Sequence, residues 1–211
     1  MFAHWPVSPA EIRAAVPSSL SVDTFDGEAW LGITPFLLSW LRPRGAPGLM
    51  TFPEMNVRTY VSRGGVPGIF FFSLEAASTL AVAGARLCYG LPYRRADMRI
   101  GFEGDWIEYR SERPGLCFDA RYRPSGPVFN AVPGTLVHWF TERYRLYTGR
   151  WAADIHHPPW PLQDAEAELR SHAPAAHLHY AGREDIVAWP PWRRRASASV
   201  ASSSSAGSSS P

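Results

Sequence analysis

Twenty prolines and seventeen glycines are spread through the 211 residues instead of gathering in one segment, and that spacing limits how long any helix can run. Proline removes a backbone donor and glycine costs about 1 kcal/mol relative to alanine inside a helix, while both suit turns. The spacing predicts a β-rich chain of many short strands and tight turns. With 45% hydrophobic residues the chain buries a real core, and one domain is the simpler organisation. That domain is expected to span residues 1–195. The remainder, ASASVASSSSAGSSSP, has almost nothing to bury and is expected to be disordered.

The segment FPEMNVRTYV, residues 52–61, poses the main question. As a strand it puts Glu54, Asn56, Arg58 and Tyr60 on one face and Met55, Val57, Thr59 and Val61 on the other. The polar face looks either at water, as in a surface strand of an antiparallel sheet, or into a cavity. Pattern alone leaves both open.

Around it the punctuation predicts the other elements. Ser8 caps a short helix with Pro9 at its first position and an apolar side of Ile12, Ala15 and Val16; Pro17 ends it. A hairpin is expected from Leu20 to Trp40, turning at Asp26 and Gly27. GIFFFSLEA reads as a strand, and STLAVAGARLCYG as a helix stopped by Gly90, with a stripe through Leu80, Val82, Ala83, Ala85, Arg86 and Leu87. Strands follow on either side of Glu103, Gly104 and Asp105, with a third in LCFDARYRPSG. TLVHWFTERYRLYT is spaced for a second long helix with Leu136, Phe140, Tyr144 and Tyr147 on one face. HHPPWPLQDAEAELR reads as a loop leading to helical or mixed structure, and HLHYAGREDIVAWPP as a final strand or two.

Several classes of function lose support. Cys88 and Cys117 stand alone, so neither a zinc site nor a disulfide framework is indicated, and a reducing cytoplasm fits. The start has no charged region followed by an apolar one, as a secretory signal would, and Pro35 and Glu75 interrupt the apolar stretches. No membrane role is expected. All 21 basic residues are arginine, with no lysine, but the net charge is only +2; this fits GC-rich coding better than nucleic-acid binding. His156 and His157 diverge in an extended chain, while His177 and His179 share a face without a matching carboxylate, so no metal is expected. Nucleophile-elbow, Walker and dinucleotide fingerprints are all missing, and no cofactor is implied.

Six segments in order, HWPVSPAEIRAAVPSSLSVDTFDGEAWLGITPF, FPEMNVRTYV, GIFFFSLEA, ARLCYGLPYRRADM, TERYRLYT and HHPPWPLQ, resemble the YqjF-like family of uncharacterised bacterial proteins over nearly all of residues 2–192. Members usually begin some residues before HWPV, which leaves an internal start at Met1 open. The family in turn resembles, more distantly, acetoacetate decarboxylase. That resemblance implies an α+β, β-rich fold: a mostly antiparallel barrel around a central cavity with a few short flanking helices. In the decarboxylases a strand glutamate projects into the cavity, and Glu54 sits in the matching place. Their Gly-aromatic-Pro-Lys motif supplies a Schiff-base lysine, where this chain has Gly90, Leu91, Pro92 and Tyr93.

A phenol cannot form an imine, and the chain offers no lysine elsewhere. The only amine is that of Met1, whose placement in the cavity looks improbable. Schiff-base decarboxylation is therefore not expected, although lysine-independent acid/base chemistry of a lyase-like kind stays open. Under this reading the polar face turns inward and holds a small anionic organic molecule. Arg58 anchors the anion, Asn56 and Tyr60 add contacts, Glu54 accepts a hydrogen bond or donates a proton, and Tyr93, with ordinary acidity, serves as oxyanion donor or acid. A buried Glu54–Arg58 pair that merely braces the barrel is the structural alternative. In the other functional class, a filled barrel makes the protein a non-catalytic interaction or sensor module. A homo-oligomer stays open.

Overall fold

The computed structural model describes residues 1–41, 50–170, 177–181 and 187–188. Along the chain run β1 (Phe2–Val7), α1 (Pro9–Ala15), β2 (Ser21–Val22), β3 (Ala29–Leu41), β4 (Met50–Arg63), β5 (Val66–Ala76), α2 (Thr79–Tyr89), β6 (Tyr93–Arg95), β7 (Asp97–Glu103) and β8 (Trp106–Arg113). They continue with β9 (Leu116–Phe129), α3 (Leu136–Thr141), β10 (Arg145–Tyr147), β11 (Ala152–His156), β12 (Leu162–Leu169), β13 (His177–Ala181) and β14 (Val187–Ala188). The fold is α+β and β-rich, as expected. The expected disordered tail lies outside the described residues, as does the loop between β3 and β4.

Among the described residues one sheet holds all the strands, in the order β14-β11-β10-β5-β4-β3-β1-β13-β12-β9-β8-β7, with β2 on β4 and β6 on β5 beside this path. Pairing is antiparallel except where β10 and β6 each run parallel to β5. Hydrogen bonding does not close a barrel among the described residues, because β14 and β7 remain as ends. The sheet instead curls by side-chain packing: Met98, Tyr109, Phe118, Ala120 and Tyr122 of β7–β9 cluster with Ala3, Trp5 and Met55 of β1 and β4. β6, paired with β5, runs through the single residue Ala96 into β7.

β4 is central and covered on both faces. Its Met55 side meets the β7–β9 arm, whereas Phe52 packs on Ala81 and Val82 of α2, and Tyr60 on Phe140 of α3. Both helices start as their sequences ask. Ser78 caps α2 and Thr135 caps α3, each accepting a backbone N–H, and α2 stops at Gly90 with φ 59°. That left-handed conformation is cheap only for glycine. α1 has the full capping box, Ser8 with Glu11.

Four local expectations change. Ser21–Val22 does not form a hairpin with β3; it pairs with Ser62 and Val61 of β4, in line with β3 and running the same way. Only a single bridge, Phe25 to Glu28, closes the Asp26–Gly27 turn. The second long helix stops at Thr141: Arg143 Nε donates to the Trp139 carbonyl at 2.6 Å, and Leu146 and Tyr147 pair with Ile69 and Phe70 on the open side of β5. A sheet edge outbids helical spacing there. LQDAEAEL has the composition of a helix but the period of a strand, apolar at every second or third residue, and forms β12 between β9 and β13. On α2 the buried side runs through Ala81 and Val82, which leaves Leu80 and Leu87 exposed. The N-terminal aromatic stretch is a strand, β1, deep inside the sheet.

The parallel approach of β10 to β5 depends on Gly68. A Cβ there would lie 2.5 Å from the Arg145 carbonyl oxygen and 2.7 Å from the Tyr147 ring. Gly68→Ala is therefore expected to cost about 1–3 kcal/mol in urea unfolding, as overpacked cores do. A cost below about 0.5 kcal/mol would mean that β10 sits further from β5.

Candidate functional site

The polar face of β4 does not look at water. Glu54, Asn56, Arg58 and Tyr60 are 4%, 5%, 9% and 0% exposed. Nor does it line the space enclosed by the curled sheet, because alternation gives that side to Met55. The polar face is buried instead beneath α2 and α3. The more apolar face packs on the β7–β9 arm at Met55 and on α1 at Val61, while the polar face takes the side where loops and helix ends bring polar partners.

Two separate groups divide this face. At one end the Tyr93 hydroxyl donates to Glu54 Oε1 at 3.0 Å. Burial pushes the Glu54 carboxyl up to about 8, against the lowering effect of that bond, so the protonated form predominates at neutral pH. Burial and then Glu54 push the Tyr93 phenol well above its ordinary value. The expectation of ordinary acidity fails: Tyr93 holds its proton and acts as a donor, and Glu54 is the group that titrates.

At the other end, the Tyr60 hydroxyl and His4 Nε2 share a hydrogen bond of 2.7 Å. The His4 ring stacks on Phe140, with centroids 3.8 Å apart. Arg58 lies 5.3 Å from the Phe2 ring and 5.9 Å from that of Tyr60. Arg143 lies 5.2 Å from the Tyr60 ring and rests on Trp139 at 4.2 Å. Its Nη1 donates to Asp23 Oδ2 at 2.6 Å. Burial raises the Tyr60 phenol, partly offset by both guanidinium charges, and lowers Arg143, partly offset by Asp23. Close packing sets the geometry, since a Cβ on Gly32 would meet His4 at 3.1 Å and the Arg58 stem at 3.3 Å.

The bracing pair of Glu54 with Arg58 is not formed: Glu54 bonds Tyr93, and Arg58 joins the aromatic end. Glu54, Arg58 and Tyr93 thus do not converge on one point. Between the ends, Thr34 stands directly opposite Asn56 in the register. Four buried atoms along this line, Glu54 Oε2, Thr34 Oγ1, Asn56 Oδ1 and Arg58 Nε, have no hydrogen-bond partner among the described residues, and Arg143 Nη2 is a fifth. Each such atom costs about 1–3 kcal/mol while it has no partner. The Met1 amine donates to the Pro35 carbonyl at 3.2 Å and is lowered to about 5 by burial and by Arg58.

Four residues of this site, His4, Asp23, Thr34 and Arg143, escaped the sequence reading. His4 alternates with Phe2 on a strand face, a period that was readable. Arg143 falls in the segment expected to be helical, but its carboxylate partner lies 120 residues away and no local spacing announces it. Glu75, which interrupts an apolar stretch in the sequence, is fully buried on the opposite face of the sheet, where Ser73 and Arg113 donate to its Oε1 at 2.9 and 3.0 Å. His156 is exposed and His157 is buried between Tyr144 and Trp160.

Comparison with known proteins gives the relationship. The model of DUF2071, described as an uncharacterized conserved protein, matches residues 1–195. The uncharacterized protein YqjF of Bacillus subtilis (strain 168) is 46% identical, over 90% of this chain and 87% of that protein. Among solved structures, acetoacetate decarboxylase from Legionella pneumophila superposes with a TM-score of 0.53 at 14% identity, covering 89% of this chain and 77% of the other. The enduracididine biosynthesis enzyme MppR, complexed with pyruvate, superposes with a TM-score of 0.58 at 12% identity, covering 89% and 83%. At such identities the likeness is one of fold. The chain has an acetoacetate-decarboxylase-like fold and belongs to the YqjF-like DUF2071 family.

Proposed function

We propose that this protein binds a small organic anion, a monocarboxylate, on the buried polar face of β4, within a single domain spanning residues 1–195. The observation that carries the reading is the charge balance around Tyr60. Two buried guanidiniums, Arg58 and Arg143, keep unpartnered N–H groups there, and Asp23 is the one carboxylate that pairs with either among the described residues. One net positive charge with free donors fits one carboxylate. Glu54, predominantly protonated at neutral pH, adds little repulsion. A structural neighbour solved with pyruvate supports the size and charge of such a ligand. The passage of β6 into β7 supports a barrel-like enclosure around the core.

Chemistry at this site would be acid/base and would not use a lysine. Glu54 has a proton to give, and Tyr93 orients its carboxyl. The packing of Trp139 and Phe140 on Tyr60 and His4 favours one competing reading, a filled interior in a non-catalytic interaction module.

A thermal-shift screen of the whole chain against short-chain carboxylates separates the two. A ligand at 100 times its Kd adds about 2.7 kcal/mol, or roughly 5–10 °C for a domain of this size. The expected result is a shift with monocarboxylates that Arg58→Met and Arg143→Met each abolish. No shift with any carboxylate, in a sample that unfolds cooperatively, overturns the proposal and leaves the interaction module.

A further inference from the structure

The middle of the polar face holds unpartnered oxygens where the Tyr60 end holds guanidinium N–H groups. Asn56 Oδ1 is buried without a donor, Thr34 Oγ1 faces it across the β3–β4 ladder, and Glu54 Oε2 stands two residues along on the same side. Neighbouring side chains on one strand face are about 6.6 Å apart at their Cα atoms and directly opposed pairs about 5 Å. One small group can therefore touch Thr34 and Asn56 together while its anionic head lies at Arg58.

We infer that the occupant is a hydroxy acid, whose carboxylate is held by Arg58 and Arg143 and whose hydroxyl donates to Asn56 Oδ1 and accepts from the Glu54 carboxyl. This rests on the carboxylate site proposed above and adds the substrate class. A hydroxyl both donates and accepts, so it satisfies the two opposite needs at once. An oxo group only accepts, and would leave Asn56 Oδ1 buried and bare. A plain alkyl chain would leave both bare. Sites built to hydrogen-bond a substrate hydroxyl discriminate strongly against analogues without it, because the buried partners then lose their bonds.

The test is calorimetric titration of the whole chain at pH 7 with five acids sharing one carbon skeleton: butyrate, 2- and 3-hydroxybutyrate, and 2- and 3-oxobutyrate. The expected result is that one hydroxy acid binds at least tenfold tighter than both butyrate and its own oxo analogue. In Asn56→Leu the ratio of hydroxy acid to butyrate falls to within about twofold. Thr34→Val, a smaller change, is expected to lower the same ratio if Asn56→Leu does not fold. Butyrate binding that depends on Arg58, with oxo acids equal to or tighter than hydroxy acids, overturns this inference and leaves the carboxylate site standing. No binding by any of the five removes the carboxylate site, and the inference with it.

Discussion

Replacing Arg113 with methionine is expected to lower the unfolding free energy by about 3–5 kcal/mol, the usual cost of stranding one member of a buried ion pair. Glu75 is fully buried, and Arg113 Nε and Ser73 Oγ hold its Oε1 at 3.0 and 2.9 Å. The two charged residues come from β5 and β8, so the bond ties the central sheet to the curled arm that covers its Met55 face. Without Arg113 an uncompensated carboxylate remains in an apolar layer. The double variant Glu75→Leu/Arg113→Met removes both charges and is expected to recover most of the loss, since apolar replacements of buried pairs are often neutral or better. Urea unfolding at pH 7 checks both. A single variant within 1 kcal/mol of the wild type would mean that solvent reaches Glu75 and that the arm is not clasped there.

Glu54→Gln is expected to do the reverse, stabilising the fold in a way that grows with pH. The folded carboxyl titrates at about 8 and the ordinary value is 4.5. Between these values the native state holds a proton that the unfolded state has released, so this group's contribution falls as pH rises from 4.5 to 8 and is constant outside that window. At 1.36 kcal/mol per unit the penalty reaches on the order of 4–5 kcal/mol above pH 8. Glutamine keeps an oxygen to accept from Tyr93 and carries no charge. In a chain that starts at Met1 the amine, lowered from 8 to about 5, gives the opposite slope over nearly the same range. The wild-type curve alone can therefore look flat, whereas the difference between wild type and Glu54→Gln isolates the carboxyl. That difference should be near zero at pH 4.5 and several kcal/mol in favour of the variant at pH 8.5. A difference independent of pH would show that Glu54 is solvated and ionises normally.

Local chemistry carried the sequence reading a long way, and long-range partners are where it stopped. Ser8 with Pro9, Ser78 with Gly90, and the turn at Glu103 to Asp105 are complete signals within a few residues. The alternation of residues 52–61 fixed which side chains share a face, but not what covers each face. A strand with both sides buried reads the same as one with a side in water when polar residues occupy a dry face. The cover over Glu54 comes from Tyr93, and that over Tyr60 from His4, Arg143 and Phe140, all distant in sequence. Tyr93 was found only because its position stood out against a lysine motif. Arg143 and the helix it seemed to extend were misread together, because the open side of β5, which claims Leu146 and Tyr147, is a tertiary feature. LQDAEAEL shows the same limit, where good helix formers adopt a strand because β9 and β13 supply partners on both sides.

The central claim is that the donors around Tyr60 await a carboxylate. Intrinsic fluorescence tests it most directly, because Trp139 packs against both Tyr60 and Arg143, at 4.5 and 4.2 Å. Butyrate would be titrated at pH 7 into the wild type, Arg58→Met, and an Arg99→Met control whose guanidinium is exposed on β7. A saturable change in the wild type and the control that is lost in Arg58→Met is the predicted result. Identical titrations in all three proteins, or no saturable change in any, would contradict it.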